Sequence, residues 1–350
     1  VQALVARTLS YLKPAPALIL SEWMEQNIRL PAGSSARPGK FRNWPYFREI
    51  ADAIGSVDIE RVTLVKATRI GFTKGVCAAI GASAALDPCP MILLVPTDDD
   101  CKGYAVDEID PLFAASPALD EILIKRRQDG RTTLVRKAFK GGASLKILGA
   151  NAPRNLRRHD ARRLYCDEVD GMSVTKEGDP TVIAERRTMA YPNRKIVKGS
   201  TPTDEETSQI EREYQESDQR VYLIPCPHCD VRFELRWQSD DGFNRNLPRV
   251  PTGYIAWPKD DLGRALPDQA YAVCPNGCVI EESEKPRMVM RGDWVATKPE
   301  VTNHRGYRLN ALVSLLSNAR WGILAAEFLK AKRGGPSEMQ PFFNTVLALP

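Results

Sequence analysis

Short apolar runs alternate along the chain with stretches of helical periodicity. The β-rich runs fall at 62–65 (VTLV), 90–96 (PMILLVP), 145–149 (LKILG), 164–166 (LYC) and 194–199 (RKIVKG). Uninterrupted apolarity over 90–96 is what a parallel strand covered on both faces shows. Helices are predicted over 47–54, from 76–79 onward, from a cap at 97–100 through 107–113, over 176–190 and over 321–332. This alternation predicts a mostly parallel α/β sheet flanked by helices, with ligands at the carboxyl ends of the strands. Before it, residues 1–40 read as a helical arm: two helical stretches separated by KPAPA, the second around 21–26 with Trp23, then the loop AGSSARPGK at 32–40. Residues 120–136 mix charges and read as peripheral.

The chemistry centres on residues 62–75, VTLVKATRIGFTKG, where a strand, a polar turn and a helix follow one another. That is the context of a phosphate-binding loop, although the usual GxxxxGK[ST] spacing is not met literally. With Gly71 as the second glycine, Lys66 takes the first-glycine position, Phe72 stands where the lysine should be, and Thr73 supplies the hydroxyl for Mg²⁺. The loop lysine has then moved to the front, and Lys66, not Lys74, is expected on the phosphates, with Thr68, Arg69 and Lys74 lining the same turn. By itself the segment also reads as an ordinary basic strand-to-helix turn. A second element shifts the balance: RLYCDEVDGM at 163–172 is a strand ending in Asp167 and Glu168, as in nucleotide hydrolases where one carboxylate joins the Mg²⁺ shell and its neighbour polarises water. Ser200 and Thr201, directly after another strand, read either as an ordinary STP turn or as a hydroxyl pair that senses a γ-phosphate. Trp44 and Tyr46, just upstream of the loop, read either as core or as stacking partners for a nucleobase.

Composition adds a second site. Of eight cysteines, Cys77, Cys89, Cys101 and Cys166 sit singly, as reduced thiols do, whereas CPHC (Cys226, Cys229) and CPNGC (Cys274, Cys278) form two knuckles 44 residues apart. Four thiolates in two close pairs suit one tetrahedral Zn²⁺ with no open position, which would fold an inserted antiparallel ribbon and leave the reaction alone. His228 inside the first knuckle is a bystander. The net charge of +5, from 49 Lys and Arg against 44 Asp and Glu, permits a polyanionic partner without requiring one. The basic stretch ANAPRNLRRHDARR at 150–163 is the local version of that signal, with Arg154, Arg157, Arg158, Arg162 and Arg163 as contacts for phosphate, a neighbouring subunit or DNA, or simply a solvated loop. Neither a signal peptide nor an apolar run of 18 residues is present, so no membrane role is expected. The chain begins without Met and stops after an apolar run, and reads as a fragment.

Taken together, KATRIGFTK, LGANAPRNLRRHDARRLYCDEVDGM, STPT at 200–203, the two cysteine knuckles and the segments GYRLNAL and FFNT resemble the large terminase subunit of tailed phages, in the lambda-like GpA family. ANAP departs slightly from the family's more usual ANSP. The resemblance implies a P-loop ATPase of the ASCE/RecA-like type with a zinc-ribbon-like insert. Its core is expected at 41–222, the insert at 223–300, and the last ATPase elements with the start of a linker at 301–350. It implies ATP, Mg²⁺ and structural Zn²⁺ as cofactors, Lys66 and Arg69 on phosphate, Thr73 and Asp167 on Mg²⁺, Glu168 on water, Ser200 and Thr201 coupling hydrolysis to movement, and an aromatic near Tyr46 on adenine. Partners implied are double-stranded DNA, a small terminase subunit, a procapsid portal and further copies in a ring, in the host cytoplasm and transiently on the procapsid. The metal-dependent nuclease domain of that family is expected to lie beyond this chain, so nuclease activity is expected only of a longer protein. A superfamily-2-like helicase and a non-enzymatic zinc-ribbon DNA-binding or scaffold protein are the alternatives.

Overall fold

A computed structural model describes residues 19–33, 38–125, 132–237 and 247–350. In chain order, helix α1 (Leu20–Asn27) and the antiparallel pair β1 (Arg29–Leu30) and β2 (Gly39–Lys40) lead to α2 (Pro45–Gly55). There follow β3 (Arg61–Lys66), α3 (Phe72–Leu86), β4 (Pro90–Val95) and α4 (Asp98–Gly103), which runs through a π-helical turn at Tyr104–Ile109 into α5 (Asp110–Ala115) and α6 (Pro117–Ile122). Next come β5 (Arg136–Ala138), β6 (Ser144–Gly149), α7 (Pro153–Leu156), β7 (Arg163–Asp167), α8 (Pro180–Arg186), β8 (Lys195–Ser200) and α9 (Gln209–Gln215). Then β9 (Arg220–Pro225), β10 (Arg232–Arg236), β11 (Thr252–Ala256), β12 (Tyr271–Val273), β13 (Val279–Ile280), α10 (Lys285–Met290) and β14 (Asp293–Ala296) precede β15 (His304–Leu309), α11 (Trp321–Gly334) and α12 (Pro336–Phe342).

One sheet runs through most of the chain in the order β13-β12-β11-β10-β9-β15-β3-β8-β7-β4-β6-β5, with β14 pairing to β9. Its middle, from β9 through β15, β3, β8, β7 and β4 to β6, is parallel throughout, as the near-continuous apolar runs predict. Most important for the site, β8 lies between β3 and β7, so the strand that leads into the glycine turn and the strand that ends in the carboxylates are one strand apart. Helix α3 packs close to α2 because its buried face is small: a Cβ on Gly75 would fall 2.1 Å from the Phe47 ring. The helix after β4 starts on the expected signal, a capping box in which Thr97 and Asp100 satisfy each other's backbone amides.

Three expectations change. The helix predicted over 176–190 is confined to Pro180–Arg186, because Thr175 and Gly178 pair across a turn and Asp179 then caps the helix through the Thr181 amide. Ser200, expected in a turn, is the last residue of β8. The cysteine-bearing strands, expected as an antiparallel ribbon, extend the central sheet through β9, and β10 pairs with β11 in parallel. Of the expected N-terminal arm, residues 1–18 lie outside the described residues, and α1 packs Leu20, Trp23 and Met24 into the main core. Among the described residues, no helix is long and apolar enough to cross a membrane.

Candidate active site and metal centre

At the carboxyl end of β3 the chain must turn sharply into α3. Arg69 (φ 66°) and Gly71 (φ 79°) take left-handed backbone to do so, and a Cβ at Gly71 would also meet the Trp44 indole nitrogen at 2.9 Å. The turn delivers the first amides of a 15-residue helix, with the positive end of its dipole, to the same edge as the ends of β7 and β8. Lys66, the last residue of β3, is buried there, its Nζ 2.5 Å from Glu168 Oε1 and 3.6 Å from Asp167 Oδ1. Thr73, on the first turn of α3, donates to Asp167 Oδ2 at 3.1 Å, and the Tyr104 hydroxyl donates to the same oxygen at 3.0 Å. Lys66, Thr73, Asp167 and Glu168 therefore meet, although they span more than a hundred residues of chain.

The two carboxylates are not equivalent. Burial pushes the Asp167 carboxyl up, and Lys66 offsets part of that. Burial opposes the Lys66 charge, but Asp167 and Glu168 outweigh it and hold the ammonium above its ordinary value. The Asp167 side chain is 5% exposed and the Glu168 side chain 47%, so only Glu168 meets solvent freely. Glu168 adopts left-handed backbone (φ 57°, ψ 52°), an uncommon state for a glutamate and typical of constrained sites. Its second oxygen, Oε2, accepts from the Thr201 amide at 3.3 Å and the Ser200 hydroxyl at 3.4 Å, so the Ser200–Thr201 pair joins the cluster.

Other expected residues sit differently. Lys74 turns away and pairs with Glu108 at 2.5 Å. Phe72, at the usual lysine position, is buried with its ring against Gly199 of β8, where a Cβ would sit 2.3 Å from it. The Arg69 guanidinium is directed at Glu327 (3.1 Å) and the Asn318 carbonyl (3.2 Å), away from the carboxylate pair. Thr68 donates both its amide (2.8 Å) and its hydroxyl (3.0 Å) to the Thr345 carbonyl. Tyr46 is fully buried, edge-on to Tyr222, and offers no face to a base in this conformation. Trp44 is half-buried and lines a largely apolar cleft of about 510 Å³ with Phe41, Gly71, Lys74, Gly75 and Leu315. Sequence reasoning missed Tyr104 and Glu108: both lie on the π-helical turn, and no local spacing links them to Asp167 or Lys74.

Beside the ends of β9, β12 and β13, the Sγ atoms of Cys226, Cys229, Cys274 and Cys278 all lie within 4.8 Å of one another, and the Cys229–Cys274 separation is 3.8 Å. A disulfide needs about 2.0 Å. A tetrahedron of thiolates about 2.3 Å from a central ion has edges near 3.8 Å. The donor set and its spacing therefore fit a metal, and this is the only such group of His, Cys, Asp or Glu among the described residues. Cys77, Cys89, Cys101 and Cys166 are buried and unpaired as expected.

The family model for the ATPase domain of the phage terminase large subunit gpA matches residues 35–294, which takes in every element of both sites up to β14. The chain belongs to this gpA terminase family. Among relatives of this gpA-type chain, the large terminase subunit of Enterobacteria phage P21 is 28% identical over 368 residues, covering 99% of the chain and 54% of that protein. The large terminase subunit of Escherichia phage lambda is 28% identical over 282 residues, covering 79% of the chain and 41% of that protein. The chain thus spans about half the length of these relatives. Among solved structures, the Thermus phage P74-26 large terminase ATPase domain is similar with a TM-score of 0.44 at 10% identity, over 83% of this chain and 88% of that one. The HK97 large terminase is similar with a TM-score of 0.44 at 13% identity, over 57% of this chain and 40% of that one.

One expectation is overturned. The model for the gpA endonuclease domain matches residues 304–350, so nuclease-domain sequence is present in this chain and not missing from it. Apolar patterning could not reveal this, because the matched segment begins with β15, which is parallel to β3 in the middle of the sheet and continues the same alternation. The gpA-type basic loop divides by role. Arg162 and Arg163 hold Asp87 at the end of α3, and Arg157 pairs with Glu177, whereas Arg154 and Arg158 are exposed.

Proposed function

We propose that this gpA-type terminase chain hydrolyses ATP to drive double-stranded DNA into a procapsid, working with a small terminase subunit, a portal and further copies in a ring. DNA cleavage by the full protein belongs to the same reading, through its endonuclease part. The observation that carries it is the meeting of Lys66, Thr73, Asp167 and Glu168 at the start of α3, with Ser200 and Thr201 touching Glu168. Hard oxygen donors at Thr73 and Asp167 fit Mg²⁺, and a helix amino end beside a buried lysine fits phosphate. Bound there, Mg·ATP supplies a phosphoryl group whose charge the metal neutralises. Lys66 would leave the carboxylates for the phosphates, and Glu168, the exposed member of the pair, would then orient and deprotonate water. Trp44 would stack on the base in the cleft beside Gly71. Zn²⁺ is the metal we assign to the four cysteines, and 41–222, 223–300 and 301–350 remain our division into core, metal-bearing insert and closing elements. The test is Glu168→Gln in the full-length protein assembled with portal and DNA: nucleotide affinity is expected to stay, while turnover falls by a factor of about 10² or more. Parental turnover in that variant would refute the assignment.

A further inference from the structure

Asp170 lies two residues past Glu168, on the short 3-10 turn Val169–Gly171, and its carboxylate is fully committed to backbone and hydroxyl donors. Oδ1 accepts from the Ile210 amide at 2.9 Å, on the first turn of α9, while Oδ2 accepts from the Thr203 amide at 3.0 Å and the Thr203 hydroxyl at 3.2 Å. The Asp170 amide in turn donates to Ser200 Oγ at 3.1 Å. One residue therefore pins three points of the segment running from the end of β8 into α9. Within that segment, the Thr201 amide and the Ser200 hydroxyl hold Glu168 Oε2, and Lys66 holds Oε1.

We propose that Asp170 is a positioning residue for hydrolysis: it fixes the Ser200–Thr203 segment against Glu168 and so keeps Glu168 from collapsing wholly onto Lys66. This inference rests on the role of Glu168 given above. Both oxygens of Asp170 are engaged by donors of the Thr203–Ile210 segment. Without its side chain, Glu168 loses the partners that share it with the strand end, and the ion pair with Lys66 withdraws the base from use. The same pin reaches outward. Both carboxylate oxygens of Glu211, next on α9, accept from Nη2 of the buried Arg308; Arg308 Nη1 donates to the Ala348 carbonyl at 2.6 Å; and Gln340 of α12 donates to the Thr203 carbonyl at 3.3 Å. The segment from α12 to Ala348 also touches Thr68 of the glycine turn. Loosening the Asp170 pin therefore frees both the site and the chain segment that touches the glycine turn.

The experiment compares Asp170→Ala, Asp170→Asn, Thr203→Val and Glu168→Gln in the full-length protein, measuring nucleotide affinity, DNA-stimulated kcat and hydrogen exchange. Asp170→Ala is expected to lower kcat about tenfold or more with affinity changed less than about twofold, the pattern of a lost transition-state contribution. The Thr203 and Ile210 amides should exchange faster in Asp170→Ala and not in Glu168→Gln. Asp170→Asn, which keeps an acceptor for Ile210, should recover part of the rate, and Thr203→Val should cost only a few fold. Parental kcat in Asp170→Ala overturns the inference, as does an equal loss in Asp170→Asn with unchanged amide protection in both. Parental kcat in Glu168→Gln instead overturns the reading of the site beneath it. If Asp170→Ala does not fold, Asp170→Asn and Thr203→Val decide by the same exchange and rate readouts.

Discussion

The phosphate-site cluster and the cysteine cluster make opposite use of buried polar atoms. Four thiols from two local knuckles meet in an arrangement that fits a metal ion, and each pair is built within five residues of chain. At the phosphate site, Lys66, Thr73, Tyr104, Asp167 and Glu168 come from four separate elements and satisfy one another provisionally. Lys66 is held by the carboxylates that, in the proposed reading, it would release for a phosphate to bind. A structural site is therefore closed by its own ligands, whereas a working site keeps partners that a substrate can displace.

That contrast can be broken most severely at the cysteines. Replacing Cys226 or Cys274 by Ser should take bound metal from about one equivalent to near zero and loosen β10–β13, since a structural Zn²⁺ contributes about 10 kcal/mol or more to the fold it closes. Atomic absorption with a thermal melt would test it, and metal-free protein with an unchanged melt would place the cluster outside the folding energetics. Next in size is Tyr46→Ala, expected to cost about 3–5 kcal/mol of stability because the ring is buried whole. Trp44→Ala should instead leave the melt nearly unchanged and weaken nucleotide binding several fold, as a lost stacking face does. The reverse pattern in a paired melt and titration would move the base contact back to Tyr46.

Within the phosphate site, Lys66→Ala removes a charge-assisted contact and should weaken nucleotide binding about ten- to a hundredfold, or roughly 1.5–3 kcal/mol. Lys74→Ala should cost less, since Lys74 is paired with Glu108. Equal or reversed losses in a titration would make Lys74 the phosphate lysine. The smallest effect sharpens the comparison from outside both sites. His304, at the start of β15, is buried against Thr63, and burial lowers its pKa to about 4. The unfolded chain takes up that proton near pH 6.5 and the folded chain only near pH 4, so stability is lost as pH falls between those values. Partial screening brings the loss to about 1–2 kcal/mol. His304→Asn should flatten that limb in melts from pH 7 to 4, and an unchanged limb would assign the acid sensitivity elsewhere.

Local chemistry was legible wherever it is encoded in adjacent residues. The turn at Gly71, the Thr97–Asp100 cap, the strand ending in Asp167 and Glu168, and the two cysteine knuckles all depend on steric, capping or chelating rules that act within a few positions. The structure also seats Lys66 beside the two carboxylates and buries Phe72 at the position where a loop lysine is usual. Strand order decided the rest. Only the insertion of β8 between β3 and β7 brings Ser200 to Glu168, and only the fold of the acidic helix brings Tyr104 to Asp167 and Glu108 to Lys74. The burial of Tyr46, the turn of Arg69 toward Glu327 and the seating of β15 beside β3 have no signature in spacing either. Periodicity fixes which face of an element is apolar, but which elements become neighbours depends on contacts between residues hundreds of positions apart, and those form only when the whole sheet assembles.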